Sequence, residues 1–214
     1  MPQILKVNAD HSEEDVIANA AAIVSRGGVI AYPTETIYGL GVDATNEQAI
    51  RRIFEIKGRN FNNPVSVIIG DIQGVFPLVR NVTDAARKLM DAFWPGPLTI
   101  VFDAADWVSP LLTANTGKIG IRLSSHEAAR KIALKTGRPL TATSANLSGK
   151  PECADAGTVV DQIGDRIDAV IDLGKKGATL GSTIIDATAE KLIILRAGVI
   201  TREAVRLKTG LLTS

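Results

Sequence analysis

Apolar residues recur every three or four positions in several stretches of the chain, which predicts amphipathic helices. The stretches are 13–26, 47–57 and 83–93. Ser12 and Asn46 precede the first two and are expected N-caps, because their side-chain oxygens can accept from free backbone N–H groups. Gly27 is expected to end the first helix. Ser124 and Glu127 have the spacing of a capping box for a helix that runs to about residue 135, and residues 201–208 predict a closing helix.

Short apolar runs separate these helical stretches and predict strands. We expect strands at 29–32, 65–69, 98–102, 119–123, 139–143, 169–172, 183–186 and 192–195. Helical and extended patterns therefore alternate from end to end, with no internal repeat, low-complexity tract or linker. This organisation predicts one α/β domain with a mixed sheet, spanning residues 1–214 and without an additional C-terminal domain.

Composition excludes several classes of protein. The 214 residues carry a formal net charge of +1, so no global field draws the chain to nucleic acid or membranes. Cys153 is the single cysteine and cannot form an internal disulfide, and no Cys/His spacing typical of a metal site occurs. We expect a cytoplasmic protein, because no signal-like start and no run of membrane-spanning length is present.

Polar residues follow the predicted strand 29–32. Pro33 ends the strand, and Thr34 and Glu35 come directly after it. Gly39 and Gly41 then permit tight backbone paths and close approach to a ligand. Alone, this segment is more typical of a strand that ends in an ordinary turn.

Basic residues lie at the C-terminal end of the predicted helix 47–57. Lys57 and Arg59 flank Gly58, and the loop that continues through Asn63 carries amide donors. The cations could simply complement the helix dipole. A lysine point charge beside a planar guanidinium also suits a polyphosphate.

Two further strands carry polar residues. Ser144 and Asn146 follow strand 139–143 and, being two residues apart in an extended segment, are expected to point the same way, either as an ordinary loop or as a ledge for phosphate or nucleobase. Arg122 lies within an apolar strand, where its charge must face solvent or meet an anion. Neither GxGxxG nor GxxxxGK[ST] occurs, so a nucleotide would not be held by those motifs. Thiol chemistry at Cys153 is rejected for lack of an orienting partner.

Taken in order, these segments resemble the YrdC-like family, whose members make threonylcarbamoyl-AMP for the threonylcarbamoyladenosine (t6A) modification of tRNA. The likeness covers nearly the whole chain. The segments that carry it are Tyr32-Pro-Thr-Glu-Thr36, Tyr38-Gly-Leu-Gly41, Lys57-Gly-Arg59, Asn63-Pro64, Trp94-Pro-Gly-Pro-Leu-Thr99, Ile121-Arg122, Ser144-Ala-Asn146, Ser182-Thr-Ile-Ile-Asp186 and Arg196.

The resemblance implies a three-layer α/β fold whose twisted mixed sheet forms a positively lined cavity. It implies that L-threonine, bicarbonate and ATP give threonylcarbamoyl-AMP and pyrophosphate, with Mg²⁺ held mainly by the ATP phosphates and no protein metal site. It assigns Lys57 and Arg59 to catalysis. ATP contacts are then expected at Lys57, Arg59, Asn63, Lys118, Ser144, Asn146 and Arg196, and threonine contacts at Thr34, Arg122, Ala142 and Ser182.

Two alternatives stay open at this point. The basic cavity could bind RNA, although a charge of +1 and few aromatic residues disfavour a dedicated RNA binder. The chain could also bind nucleotide without synthase activity, since Ile68 stands where many family members have histidine. As a synthase, the protein is expected to hand its product to a tRNA threonylcarbamoyl transferase machinery, with at most weak RNA binding of its own and no membrane contact.

Overall fold

The computed structural model describes residues 1–174, 180–189 and 191–213. The α-helices are α1 (Glu13–Ser25), α2 (Glu47–Lys57), α3 (Asp84–Phe93), α4 (Pro110–Thr113), α5 (Glu127–Thr136), α6 (Ala156–Ile163) and α7 (Arg202–Thr209). Ile72–Leu78 and Gly164–Arg166 form 3₁₀ turns. None of the helices within these described ranges is long and apolar enough to cross a membrane.

The strands are β1 (Gln3–Lys6), β2 (Ile30–Tyr32), β3 (Gly39–Gly41), β4 (Val67–Ile68), β5 (Leu98–Asp103), β6 (Lys118–Arg122), β7 (Leu140–Thr141), β8 (Thr143–Ser144), β9 (Ala169–Asp172), β10 (Thr183–Asp186) and β11 (Ile193–Arg196). They pair as a five-stranded sheet of order β1-β9-β2-β3-β8 and a six-stranded sheet of order β11-β10-β5-β6-β4-β7. Each sheet mixes parallel and antiparallel pairs, as predicted, but the single expected sheet is two hydrogen-bonded sets.

One extended segment joins the two sheets. β7 pairs with β4 in the six-stranded sheet, and β8, which begins two residues after β7 ends, pairs with β3 in the five-stranded sheet. The residue between them, Ala142, donates its N–H to the carbonyl O of Ser66 at 2.7 Å. The sheets therefore meet along residues 140–144.

The sheets form the middle layer of the fold, because alternate residues of a strand bury in different clusters. In β2, Ala31 packs in a large cluster with α2, α3 and α6, whereas Ile30 and Tyr32 pack in a smaller cluster with α1 and α5. Val67 and Ile68 of β4 divide in the same way. Helices thus cover both sides of the strands, and the α/β expectation is confirmed.

The predicted caps are confirmed at two helices and wrong at a third. Ser12 accepts from Asp15 N and Asn46 from Ala49 N. α5, however, begins at Glu127 after His126, and the hydroxyl of Ser124 donates to Glu35 rather than capping the helix. A contact across 89 residues of sequence has replaced the local one.

Candidate functional site

A cleft opens where the two sheets meet and encloses about 680 Å³ of empty space, part of it open to solvent. Its walls come from the segment after β2, the loop after α2, and the ends of β5, β6, β8 and β11. Seven residues predicted as ligand contacts line it: Thr34, Arg59, Arg122, Ala142, Ser144, Ser182 and Arg196. The fold thus gathers positions that are up to 162 residues apart in sequence, from 34 to 196.

Lys57 lies behind the cleft lining. Its side chain is buried, and Nζ donates to Asn146 O at 2.8 Å, to Asn146 Oδ1 at 3.1 Å and to the carbonyl O of Ser144. Burial, together with the positive charge of Arg59, lowers the pKa of Lys57 to about 8. Lys57 therefore holds the 144–146 turn in place, and Asn146 supports the same turn by donating to Lys150 O at 2.6 Å.

Two other predicted ATP contacts lie outside the lining. Asn63 is exposed and donates to Asn60 O at 3.3 Å. Lys118 begins β6, whereas Arg122 ends it, so the two cations lie at opposite ends of one strand. Lys118 Nζ pairs with Asp186 Oδ2 at 2.8 Å and donates to Thr188 Oγ1 at 2.9 Å. Their assignment to ATP stays a prediction.

Arg59 reaches the cleft from the C-terminal end of α2. Gly58 caps this helix in the left-handed conformation (φ 58°), which turns the chain toward the cleft. The Arg59 guanidinium donates to Thr143 Oγ1 and to the carbonyl O of Pro64, both at 2.9 Å. These contacts orient the guanidinium and add no negative charge beside it.

Arg196 lies at the end of β11 and donates hydrogen bonds to Ser182, the residue before β10. Its Nε and Nη2 atoms donate to Ser182 O at 3.0 and 2.7 Å, and Nη2 also lies 3.0 Å from Ser182 Oγ. The Ser182 hydroxyl shares a hydrogen bond of 2.9 Å with Thr99 Oγ1. A side chain at Gly198 would meet the backbone of residues 181–183 at about 2.4 Å, so glycine allows this close packing.

Arg122 is buried, so its charge faces an anion and not solvent. Nη2 lies 2.9 Å from Glu35 Oε2 and donates to Thr36 Oγ1 at 3.0 Å. Glu35 in turn accepts from the Ser124 hydroxyl and from Ser125 N at 3.1 Å. Burial opposes ionisation of Glu35, but Arg122 and these hydrogen bonds outweigh it, so the pKa of Glu35 lies below its usual value.

The three guanidinium groups influence one another. Burial and the neighbouring charge of Arg196 lower the pKa of Arg59. Burial also lowers the pKa of Arg196; Glu152 opposes this effect, and Arg122 adds to it. Glu35 offsets the charge of Arg122. Arg59 and Arg196, by contrast, repel each other in a partly buried space and are costly to assemble without an anion. The arrangement therefore favours an anionic ligand.

The glycines after Thr36 give room to an aromatic ring. A Cβ atom at Gly39 would lie 2.9 Å from the Tyr32 ring, and one at Gly41 would lie 2.6 Å from it. Tyr32 is fully buried, and its hydroxyl donates to Thr141 O at 2.9 Å. Gly39 and Gly41 thus permit strand pairing over the ring, and the expected direct approach of these glycines to ligand stays a prediction.

Several cleft residues were not singled out from the sequence as site residues. Thr99 and Thr143 are threonines within strands, where they are common, and no local pattern marks them, whereas Thr36 was noted only as the end of the segment Tyr32-Pro-Thr-Glu-Thr36. Glu35 was noted only as part of a polar turn. Its partner Arg122, a charge within an apolar strand, was the available signal, since a buried cation requires an anion.

Other chemistries find little support in the site. Burial, helped by Asp155, raises the pKa of the Cys153 thiol to about 11, so the thiolate is scarce at neutral pH. Among residues 1–174, 180–189 and 191–213, no group of three or more His, Cys, Asp or Glu side chains is placed to hold a metal ion.

Comparison with known proteins identifies relatives of the chain. Residues 22–198 match the sequence model of the Sua5/YciO/YrdC family, described as telomere recombination. The threonylcarbamoyl-AMP synthase of Bacillus subtilis is 38% identical over 195 residues, which are 91% of this chain and 56% of that protein. The Vibrio vulnificus enzyme of the same name is 36% identical over 185 residues, 83% of this chain and 98% of that protein.

Solved structures show the same fold. The crystal structure of Pyrococcus abyssi Sua5 complexed with L-threonine superposes with a TM-score of 0.92 at 33% identity and covers 100% of this chain and 62% of that one. Escherichia coli YciO superposes with a TM-score of 0.86 at 26% identity, covering 96% of this chain and all of that one. The chain spans about half the length of its B. subtilis relative and of the P. abyssi synthase, 56% and 55% respectively.

Proposed function

The chain belongs to the Sua5/YciO/YrdC family, and we propose that it is an L-threonylcarbamoyladenylate synthase. It converts L-threonine, bicarbonate and ATP to threonylcarbamoyl-AMP and pyrophosphate. The observation that carries this proposal is the convergence of Arg59, Arg122 and Arg196 on one cleft. Such a cleft suits a reaction between a polyphosphate and an amino acid that is held by its carboxylate, and the relatives named as synthases support the same choice.

We assign the two ends of the cleft to different substrates, and the two ends adjoin where Arg196 donates to the carbonyl O of Ser182. Arg59, Ser144 and Arg196 contact the ATP phosphates, with Lys57 and Asn146 shaping the turn that presents Ser144. Threonine contacts are Thr34, Arg122, Ala142 and Ser182, of which Arg122 receives the carboxylate. Asn63 and Lys118 are assigned to ATP from the resemblance alone.

The proposed chemistry needs no protein nucleophile. The threonine amine combines with the carbon of bicarbonate, water leaves, and a carbamate forms. A carbamate oxygen then attacks the α-phosphorus of ATP, and the bond to the bridging oxygen breaks with release of pyrophosphate. Arg59 is the proposed catalytic residue that stabilises charge on the transferring phosphate, and the cleft supplies proximity of the two reactants.

Magnesium enters this proposal as a companion of ATP. Mg²⁺ retains several waters and commonly binds substrate phosphates with few protein ligands. When bound, it neutralises phosphate charge during the transfer. We propose that the phosphates hold it, while Arg59 and Arg196 orient them.

The proposal extends to the setting of the reaction. We place the protein in the cytoplasm, supplying threonylcarbamoyl-AMP to a tRNA threonylcarbamoyl transferase for t6A modification, and we propose that residues 1–214 fold as one domain. A direct role in RNA binding is not needed for that supply.

One measurement tests the proposed activity. Pyrophosphate release from ATP is followed with threonine and bicarbonate present, and again with each omitted. We expect release only when both are present, together with a product of the mass of threonylcarbamoyl-AMP. ATP binding without pyrophosphate release would instead identify a nucleotide-binding protein that lacks synthase activity.

A further inference from the structure

Glu35 gives the three arginines of the cleft unequal electrostatic surroundings. Its carboxylate lies 2.9 Å from Arg122 Nη2, and the side chains of the pair are 17% and 7% exposed. Within the part of the chain that the structure describes, neither Arg59 nor Arg196 has a carboxylate within 4.0 Å. Glu152 acts on Arg196 only from beyond ion-pair distance.

The Glu35 carboxylate accepts from three protein donors. Oε2 accepts from Arg122 and the Ser124 hydroxyl, and Oε1 accepts from Ser125 N at 3.1 Å. The side chain is not part of the cleft lining. Glu35 therefore acts on a ligand through its charge and through Arg122, without direct contact.

The cleft is consequently divided by charge. The end that contains Arg59 and Arg196 is positive and matches a polyphosphate. The end that contains Arg122 is close to neutral, because the Glu35 charge offsets the guanidinium. A zwitterionic amino acid, with no net charge, matches this second end, where guanidinium hydrogen bonds can still orient its carboxylate.

We propose that Glu35 is a specificity-determining residue that excludes phosphate groups from the amino-acid end of the cleft. Without it, three cations in one space would allow a polyphosphate to bind in two registers, one of which blocks the amino acid. The identity of the two substrates rests on the proposed function, whereas the charge division rests on the geometry.

The test is direct binding of inorganic pyrophosphate, measured by calorimetry on the full chain, with no turnover required. Four proteins are compared: wild type, Glu35→Gln, Arg122→Gln and the double variant. Glu35→Gln should bind pyrophosphate at least about tenfold more tightly, which is the effect of one unit charge on each charge of the ligand at ~10 Å and an effective dielectric constant of about 20. Arg122→Gln should bind at least about tenfold more weakly, and the double variant should return to within about twofold of wild type.

Two further variants separate charge from packing. Ser124→Ala removes a hydrogen bond to Glu35 but keeps its charge, so its pyrophosphate affinity should stay within about twofold of wild type. Asp106→Asn changes the net charge by the same unit at an exposed pair with Arg80, and should also have no effect. If Glu35→Gln does not fold, Arg122→Gln and the double variant, which carries no unpaired charge from this pair, still provide the comparison.

An unchanged affinity in Glu35→Gln would overturn the proposal. So would a gain that persists in the double variant, because the gain would then not act through Arg122. These outcomes are independent of synthase activity. If the four proteins show the expected pyrophosphate affinities but wild type releases no pyrophosphate from ATP, the divided cleft is supported and the proposed reaction is wrong.

Discussion

The Nζ atom of Lys57 lies 2.8 Å from the carbonyl O of Asn146 and 3.1 Å from its side-chain oxygen. The buried ammonium group of Lys57 thus has its hydrogen-bond acceptors in one turn of the cleft wall. The sequence had suggested that Lys57 contacts phosphate instead. The expected effect of Lys57 on ATP is therefore indirect: it fixes the turn that carries Ser144. This role makes a prediction about pH.

The contribution of Lys57 to stability should rise between pH 8 and pH 10. Burial lowers its pKa in the folded protein to about 8 from a model-compound value of 10.5, so in this range the unfolded chain binds more protons than the folded one. Raising the pH then favours the folded state, by about 2 kcal/mol at most in this window. Denaturant unfolding at pH 8, 9 and 10 measures the slope, and Lys57→Met should lack this contribution. Parallel slopes in the two proteins would contradict the assignment.

Arg59→Ala should abolish most of the proposed synthase activity and leave the protein folded. The guanidinium donates two hydrogen bonds, to Thr143 and Pro64, so we expect a stability loss of only about 1–2 kcal/mol. Pyrophosphate release at saturating ATP and a thermal melt measure the two effects. Arg59→Lys keeps the charge without the planar fork and should recover only part of the rate. An unchanged rate in Arg59→Ala would remove this residue from the site.

Arg122→Ala should raise the threonine requirement far more than the ATP requirement, by about 2–5 kcal/mol in apparent binding. It also leaves Glu35 buried without its partner, which typically costs about 3–5 kcal/mol of stability. Adding Glu35→Gln should recover much of that stability without restoring threonine binding. Steady-state KM values for both substrates, with melts of the single and double variants, test this. Equal losses for both substrates would show that Arg122 is not a threonine-specific contact.

Ile68→His should sharpen the choice of threonine over 2-aminobutyrate. Ile68 lines the cleft and is fully buried, so it can offer the substrate shape but no hydrogen bond. An apolar wall separates such analogues by roughly 1–3 kcal/mol, whereas a hydrogen-bonding group rejects the analogue without the hydroxyl strongly. The variant should lose some stability, because a polar ring enters a packed cluster. Competition assays between threonine and 2-aminobutyrate measure this selectivity in both proteins. Strong rejection of 2-aminobutyrate by wild type would refute the prediction.

Gly41→Ala should destabilise the protein by about 1–3 kcal/mol, because the new methyl group must displace the Tyr32 ring, which lies 2.6 Å from its position. Gly157→Ala in α6 is the matched control. Its nearest neighbour would be 3.5 Å away, and alanine is the better helix residue there. Urea unfolding compares the two, and equal effects would mean that the ring shifts at no cost.

Much of the fold could be predicted where short-range chemistry decides it. α2 and β9 have the predicted bounds, since a cap, a left-handed glycine and an apolar run are all local signals. β1 was missed because only Leu5 of its four residues is buried. β3 was missed because its glycines favour a loop, and only the opposing Tyr32 ring makes them suitable for a strand.

The site was less accessible to local reasoning. That Arg122 requires an anion followed from its apolar neighbours, but the identity of that anion did not, because Glu35 lies 87 residues earlier in the chain. Ser124 shows the converse error, since its spacing to Glu127 predicted a cap while its hydroxyl serves Glu35. The grouping of Arg59 with Arg196 came from the resemblance.

The segment from Leu140 to Ser144 belongs to both sheets, and this has a consequence for how such a protein can vary in length. One added or deleted residue would put the two pairings out of step, because side chains alternate between faces with a period of two. Ser144 would then turn from the cleft, or Thr141 would lose its place opposite Val67. Lineages of this fold should therefore accumulate insertions and deletions in other connections and keep the spacing of these five positions constant.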